Sequence, residues 1–402
     1  MSDLRKSIFG LQGKRPSRTS VSPANNFGPV KWTKYYEREE VLDISRGQFH
    51  FYAKGSTGPI LLCLHGGGYS GLTWALFAEE VSKLIECRVI AVDVRGHGNT
   101  VTSDDADLSL DTLSNDVVEI ASKLIEENPS PIILMGHSMG GAIAVEAAHH
   151  IDSVVGLCVI DVVEGTALDA LSSMQSILRG RPSHFKSLPQ AIQWCYKGGQ
   201  THNIDAAKVS MPGQIVSIKT GKLAADECDQ VHCDISNTSS RDAISSSYAL
   251  AEVAEVAEDS EEADADDDHC PDCGKPPIPP KTSKTDIFKS PNVKEEGPLY
   301  KWRIDLSKTE KFWTGWFKGL SQKFLDIRIP KLLLLANIHG LDTTLTVGQM
   351  QGKFQMQVLS RSGHAIHEDQ PYQVAEILSA YLVKQRIATP KSLFVCPSLH
   401  AC

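Results

Sequence analysis

The sequence lacks any stretch of about 18 uninterrupted apolar residues, the minimum for a membrane-spanning helix. Its opening, MSDLRKSIFGLQGKRPSRTS, is basic and has no apolar core of the kind a secretory signal needs. These absences leave an intracellular protein as the expectation, of the cytoplasm or the nucleus, and the pairs Arg5-Lys6 and Lys14-Arg15 are too sparse to choose between them. No internal repeat with a period of 20 to 50 residues appears, which excludes solenoids and propellers. Positive charge is also scarce: the net charge is −9, and residues 252–268 hold ten acids with no base. Removing those ten charges leaves the remainder at +1, so the acidity is local and the general electrostatic footprint of a nucleic-acid binder is missing. The ten cysteines are scattered, several inside apolar runs such as LLCLH and GLCVID, where thiols act as small hydrophobes rather than as a disulfide framework. Cys270-Pro-Asp-Cys273, with His269 before it, has no second C-x-x-C and no strand-helix context. Neither zinc nor a redox site is expected there, and no cofactor is expected elsewhere.

What is present is a chain of 402 residues, 41% hydrophobic and 22% charged, with the balance of a globular protein. Residues 1–30 are rich in Ser, Pro, Gly and basic side chains and are expected to be a disordered tail. From Val41 the pattern alternates: LDISRGQFHFYAKG as a hairpin, strand PILLCLH, a helix from about Thr73 to Glu86 and strand CRVIAVDVRG. A helix from about Leu110 to Asn128, strand PIILMG, a helix after Ser138 and strand VVGLCVIDVV follow. Nearly continuous apolar strands alternating with helices at short spacing indicate an α/β fold, a mostly parallel central sheet with helices on both faces. The first part of this core spans 31–164, a helical cap is expected over 165–217, and an acidic, Pro-rich disordered insertion over 218–297. The second part of the core spans 298–386, with strands IPKLLLLA and FQMQVL, a short helix near Thr346 to Met350 and a last helix from about Pro371 to Arg386. Residues 387–402 form a tail.

Gly136-His137-Ser138-Met139-Gly140 sits between the strand PIILMG and a helix of small residues. A G-x-S-x-G pattern arises by chance in roughly one chain of this length in ten, so context decides whether it matters. A strand, a tight turn and a helix, with glycines two before and two after the serine, are the setting of a nucleophile elbow. Serine hydrolysis also needs a base, an acid to orient it and donors aimed at the oxyanion. His65-Gly66-Gly67-Gly68 follows a strand and offers the amide of Gly67 or Gly68 as one oxyanion donor, with the amide of Met139 as the second. The base is expected to be His364, on the loop after the last strand; His367, at a helix start, is its rival. For the acid, spacing favours Asp161 at the end of GLCVID over Asp342, which lies further along the loop after LLLLA. Asp93 and Arg95, in DVRGHG, are expected to fix a loop at the same sheet edge. A groove between segment 165–217 and the stretch holding Trp313 and Trp316 is a candidate for substrate binding; core packing is the alternative for these two tryptophans.

The chain resembles the protein phosphatase methylesterases through HGGG, LMGHSMGGAIAV, GLCVIDVVEGTALDALSSMQSILRGRP, KTEKFWTGWFKGLS, VGQMQGKFQMQVL and GHAIHED. These stretches lie within residues 30–217 and 299–386, and DVVEGTALDAL and GQMQGKFQMQ are far more specific than the generic hydrolase motifs. It departs from the family pattern at HCPDC, at GKPPIPPK and at HGLD after the penultimate strand. The resemblance implies an α/β-hydrolase fold and a triad of Ser138, Asp161 and His364. It further implies hydrolysis of the methyl ester on the C-terminal leucine of the phosphatase 2A catalytic subunit, without metal or cofactor. The same resemblance implies direct binding of the phosphatase, within its core complex with the scaffold subunit, and a partner contact that aligns the triad. By residues alone, a general small-ester or lipid esterase and a non-catalytic phosphatase-binding protein remain the competing readings.

Overall fold

A computed structural model describes residues 26–228, 299–338, 341–392 and 394. Strands β1 (Arg38–Ile44) and β2 (Gly47–Lys54) form the expected hairpin, followed by β3 (Ile60–Leu64), α1 (Ala75–Leu84), β4 (Arg88–Val92) and the two-residue β5 (Val101–Thr102). Next come α2 (Leu110–Glu126), β6 (Ile132–His137), α3 (Met139–Ala148) and β7 (Val154–Ile160). The cap contributes α4 (Glu164–Arg179), β8 (His184–Phe185), α5 (Leu188–Lys197), α6 (Ile204–Ser210) and β9 (Ile215–Ser217). Beyond the insertion lie β10 (Tyr300–Trp302), α7 (Glu310–Phe317), α8 (Leu320–Asp326), β11 (Lys331–Leu335), α9 (Thr343–Met350), β12 (Gln355–Val358), α10 (Ile366–Asp369) and α11 (Pro371–Lys384).

The main sheet runs β1-β2-β4-β3-β6-β7-β11-β12, with β5 added on β2. Pairing is antiparallel from β1 to β4 and parallel from β4 through β12, so the expected mostly parallel sheet is present. The run ILLCL of β3 shows why its sequence is apolar throughout. Ile60, Leu62 and Leu64 face the cluster containing Val117 of α2, Ile143 of α3 and Trp316 of α7. Leu61 and Cys63 face Phe77 of α1 and Leu378 of α11 on the other side. A strand covered on both faces buries every side chain, and period-two alternation vanishes from its sequence.

The cap is partly a second sheet, β8-β10-β9, that the sequence reading does not contain. Its strands are two or three residues long, too short for periodicity to register. They cover a small separate core with Phe185, Leu188, Ile192, Cys195 and Ile215. The described chain also extends past two expected boundaries. Residues 218–228, assigned by composition to the insertion, turn back so that Leu223 bridges Val216 and Ala225 N–H donates to Pro212 O at 3.1 Å. At the other end, Thr389 O accepts from Glu86 N–H at 3.0 Å, tying the start of the C-terminal tail to the end of α1. The rest of the N-terminal tail and of the insertion, with His269, Cys270 and Cys273, lies outside the described residues.

Trp313 and Trp316 are corrected by their packing. They are 3% and 4% exposed within the core cluster. Their Nε1–H groups donate to Thr309 Oγ1 (2.8 Å) and Leu108 O (2.7 Å). Buried indoles with satisfied N–H groups anchor α7 under the sheet and do not line a groove. Among the described residues no helix is long and apolar enough to cross a membrane.

Arg95 and Asp116 lock the loop after β4 onto α2. Arg95 Nε and Nη2 each reach a carboxylate oxygen at 2.7 Å, and both side chains are almost fully buried. Removing one partner of a buried ion pair strands the other charge. Asp116→Ala is therefore expected to lower unfolding free energy by about 3–5 kcal/mol in urea titration, and an unchanged midpoint would contradict this role.

Candidate active site

Ser138 sits on the turn between β6 and α3 with φ 52° and ψ −122°, a backbone region that side chains other than glycine rarely occupy. Such strain, of order 1–3 kcal/mol, persists only where the surroundings over-determine it. Here Ser138 N–H donates to Ile160 O at 3.1 Å and Ser138 O accepts from Gly141 N–H at 2.8 Å. The flanking glycines follow from the same turn. A Cβ on Gly136 would stand 2.1 Å from Gly140 O, and one on Gly140 would stand 2.2 Å from Leu64 O. The G-x-S-x-G spacing is thus the requirement for α3 to start with its backbone against β3 and β6.

Asp161 directly follows β7, the neighbouring strand, and is likewise in the left-handed region with φ 50°. Its Oδ1 accepts from Ala336 N–H at 2.8 Å, and its Oδ2 stands 2.8 Å from His364 Nδ1. With Nδ1–H given to the carboxylate, Nε2 of His364 is left with a lone pair, the tautomer a general base needs. The His364 side chain is 54% exposed. Its ring centroid is 4.6 Å from that of His137, whose Nε2–H donates to His364 O at 2.9 Å. Among the described residues no hydrogen bond joins Ser138 Oγ to His364. The structure therefore brings Asp161 and His364 into contact and places Ser138 at the end of the adjacent strand.

The rivals are occupied elsewhere. His367 is fully buried, bonded through Nε2 to Thr73 Oγ1 at 2.9 Å and lying over Trp74 at 4.2 Å between ring centroids. Asp342 caps α9 by accepting from Leu345 N–H at 2.8 Å, and also takes the Ser321 hydroxyl. Asp93 and Arg95 hold loops, as expected. Asp93 accepts from Gly71 N–H (2.7 Å) and Asn99 N–H (3.0 Å) and pairs with His50.

The glycine loop lies directly against the serine, since a Cβ on Gly66 would stand 3.1 Å from Ser138 Cβ. Gly68 is corrected as an oxyanion donor, because its N–H is given to His97 Nε2 at 2.9 Å. The amides of Gly67 and Met139 carry no hydrogen bond among the described residues, and they remain the two candidates. His97 Nδ1–H in turn donates to Arg95 O, and His65 bridges Gly66 O and Val94 N–H. This clamp requires both imidazoles neutral. Burial, with the neighbouring His65, pushes His97 down to about 3, and burial also lowers His65. His137 is lowered by burial and by His364 and His367, and burial takes His367 to about 3. Sequence reasoning missed this set because His65, His97, His137 and His367 lie in separate segments, and only the fold brings their rings together. Among the described residues no group of three or more His, Cys, Asp or Glu is placed to hold a metal ion.

Comparison with known proteins adds the following. The profile of the "Alpha/beta hydrolase family" matches residues 61–212. "Protein phosphatase methylesterase 1" of Mus musculus is 46% identical over 393 residues, covering 96% of this chain and 93% of that protein. "Probable protein phosphatase methylesterase 1" of Caenorhabditis elegans is 38% identical, covering 94% and 83%. Among solved structures, E-2-(acetamidomethylene)succinate hydrolase superposes with a TM-score of 0.56 at 16% identity, covering 86% of this chain and 99% of that one. An esterase of M. tuberculosis gives 0.52 at 17%, covering 86% and 92%. At these identities the structural likeness speaks for the fold alone.

Beside the base loop, Glu368 is fully buried. It accepts from Thr73 Oγ1–H at 2.5 Å, while its Oε2 has no partner among the described residues. Burial raises this carboxyl from 4.5 to about 7. The folded state thus keeps a proton that the unfolded chain has released between those values, and stability falls as pH rises through the window. Glu368→Gln has no such proton to lose. Its stability relative to wild type is expected to grow by roughly 3 kcal/mol from pH 4.5 to pH 8, read by urea unfolding; a difference that stays flat across that range would refute the assignment.

Proposed function

The chain belongs to the protein phosphatase methylesterase family of α/β hydrolases, and we propose that it is a serine esterase removing the methyl ester from a protein phosphatase C-terminus. The substrate on this reading is the C-terminal leucine methyl ester of the phosphatase 2A catalytic subunit, met within its core complex with the scaffold subunit. The observation that carries the reading is the Asp161–His364 pair at 2.8 Å, beside the strained turn that holds Ser138. The names borne by the relatives supply the substrate class.

In this mechanism Nε2 of His364 takes the Ser138 proton as Oγ attacks the ester carbonyl. Asp161 holds the imidazole and stabilises the imidazolium that forms. The amides of Met139 and Gly67 donate to the tetrahedral oxyanion, a contribution worth about 3–4 kcal/mol per donor in comparable sites. His364 then protonates the departing methoxide, methanol leaves, and water repeats the sequence on the acyl-enzyme. The His364 side chain is half exposed at the surface where a partner would dock. Docking of the phosphatase body against the cap and the His364 loop would tighten the contact of His364 with Ser138, so the free enzyme works slowly and the docked one fast.

Ser138→Ala is expected to reduce release of methanol from methylated phosphatase by at least about a thousandfold while leaving binding intact. Robust turnover of small p-nitrophenyl esters with none on methylated phosphatase would replace this reading with a general esterase. Asp161→Asn should lower kcat by about 10⁴ by imposing the wrong tautomer. Asp342→Asn keeps a side-chain oxygen to cap α9 and should leave both stability and kcat nearly unchanged. The opposite ranking in steady-state kinetics would move the orienting acid to Asp342.

A further inference from the structure

Arg181 follows α4, in the turn leading to β8. Its guanidinium carbon stands 3.9 Å from the ring centroid of Trp302 and 5.7 Å from that of Trp194. The two indoles meet edge to face at 5.4 Å, and Trp302 Nε1–H is given to Pro182 O at 2.7 Å. This aromatic wall holds the cation in place but offers its N–H groups no acceptor. Among the described residues no hydrogen bond or ion pair reaches the Arg181 side chain. The groups that act on it electrostatically are Tyr69 and Cys195, both kept neutral by burial, and no carboxylate is among them. Five donors in a planar fork, partly buried and unpaired, are not explained by stacking alone.

The location adds direction. A Cβ on Gly68 would stand 3.8 Å from Arg181 Nη1, and Gly68 is two residues from Gly66, which abuts Ser138. The guanidinium thus stands beside the same glycine loop that packs against Ser138.

We propose that Arg181 is an anion subsite, receiving a carboxylate side chain carried one to three residues before the esterified end of a peptide substrate. This rests on the ester-hydrolase reading, so binding and turnover are measured separately. Hexapeptide methyl esters are made in pairs that differ only by Asp or Asn at one of those three positions. Binding to the Ser138→Ala protein is followed by calorimetry, and hydrolysis is followed with wild type. One Asp peptide is expected to bind about tenfold more tightly than its Asn partner at low salt. That preference should vanish with Arg181→Gln added and persist in part with Arg181→Lys, which keeps the charge but not the fork. Equal binding of Asp and Asn at all three positions would overturn the subsite, and this comparison needs no change at Arg181. A preference that survives Arg181→Gln would overturn it too. A preference dependent on Arg181 with no hydrolysis of any peptide would uphold the subsite, and the esterase reading would then be decided by the Ser138→Ala comparison on methylated phosphatase.

Discussion

Everything at this site depends on how closely α3 approaches the ends of β3 and β6. Two glycines allow it: a Cβ at either Gly136 or Gly140 would collide with backbone oxygen at about 2 Å. Because the helix starts so near the sheet, Ser138 must turn through the left-handed region, and its hydroxyl is carried to the sheet edge. The parallel pairing of β6, β7 and β11 then brings the ends of three strands together there. Asp161 reaches the same edge from β7, and its second oxygen is fixed by the amide of Ala336 at the end of β11. The carboxylate is thus oriented by the sheet itself before any histidine is considered.

Around this edge the protein keeps imidazoles neutral. His65 and His97 each accept an amide through one nitrogen and donate from the other, and burial disfavours their protonation. Neutral rings can serve as rigid two-ended connectors where charged ones could not accept at all. The glycine loop is therefore set by histidine hydrogen bonds as much as by its own flexibility. Gly68, the one of the three loop glycines at positive φ, is also the one whose amide is already engaged.

Much of this was legible in the sequence. Unbroken apolar runs such as PIILMG and KLLLL announce strands covered on both sides, and the glycine spacing around Ser138 states a contact distance. The less legible features share a cause, which is that they depend on partners distant in the chain. Trp313 and Trp316 read as a groove because aromatic density looks the same in a core and at a surface; only Leu108 and Thr309 decide between them. The cap sheet was invisible because β8, β9 and β10 are too short to show a period. His367 and His364 lie three residues apart with similar neighbours, and it is Thr73, nearly 300 positions away, that removes one of them from competition.

The cap sheet has one more property. Its middle strand, β10, comes from beyond the insertion, while its two outer strands come from before it. In the main sheet β11 and β12 instead extend one edge, with β11 paired to β7. The polypeptide before Cys228 carries Ser138 and Asp161, and the polypeptide after Leu299 carries His364. A chain cut anywhere between those points would consist of two pieces, interleaved in the cap sheet and side by side in the main one, each holding an incomplete set of reactive groups. The molecule is in this sense already a split enzyme, whose halves are joined by strand pairing and a shared core.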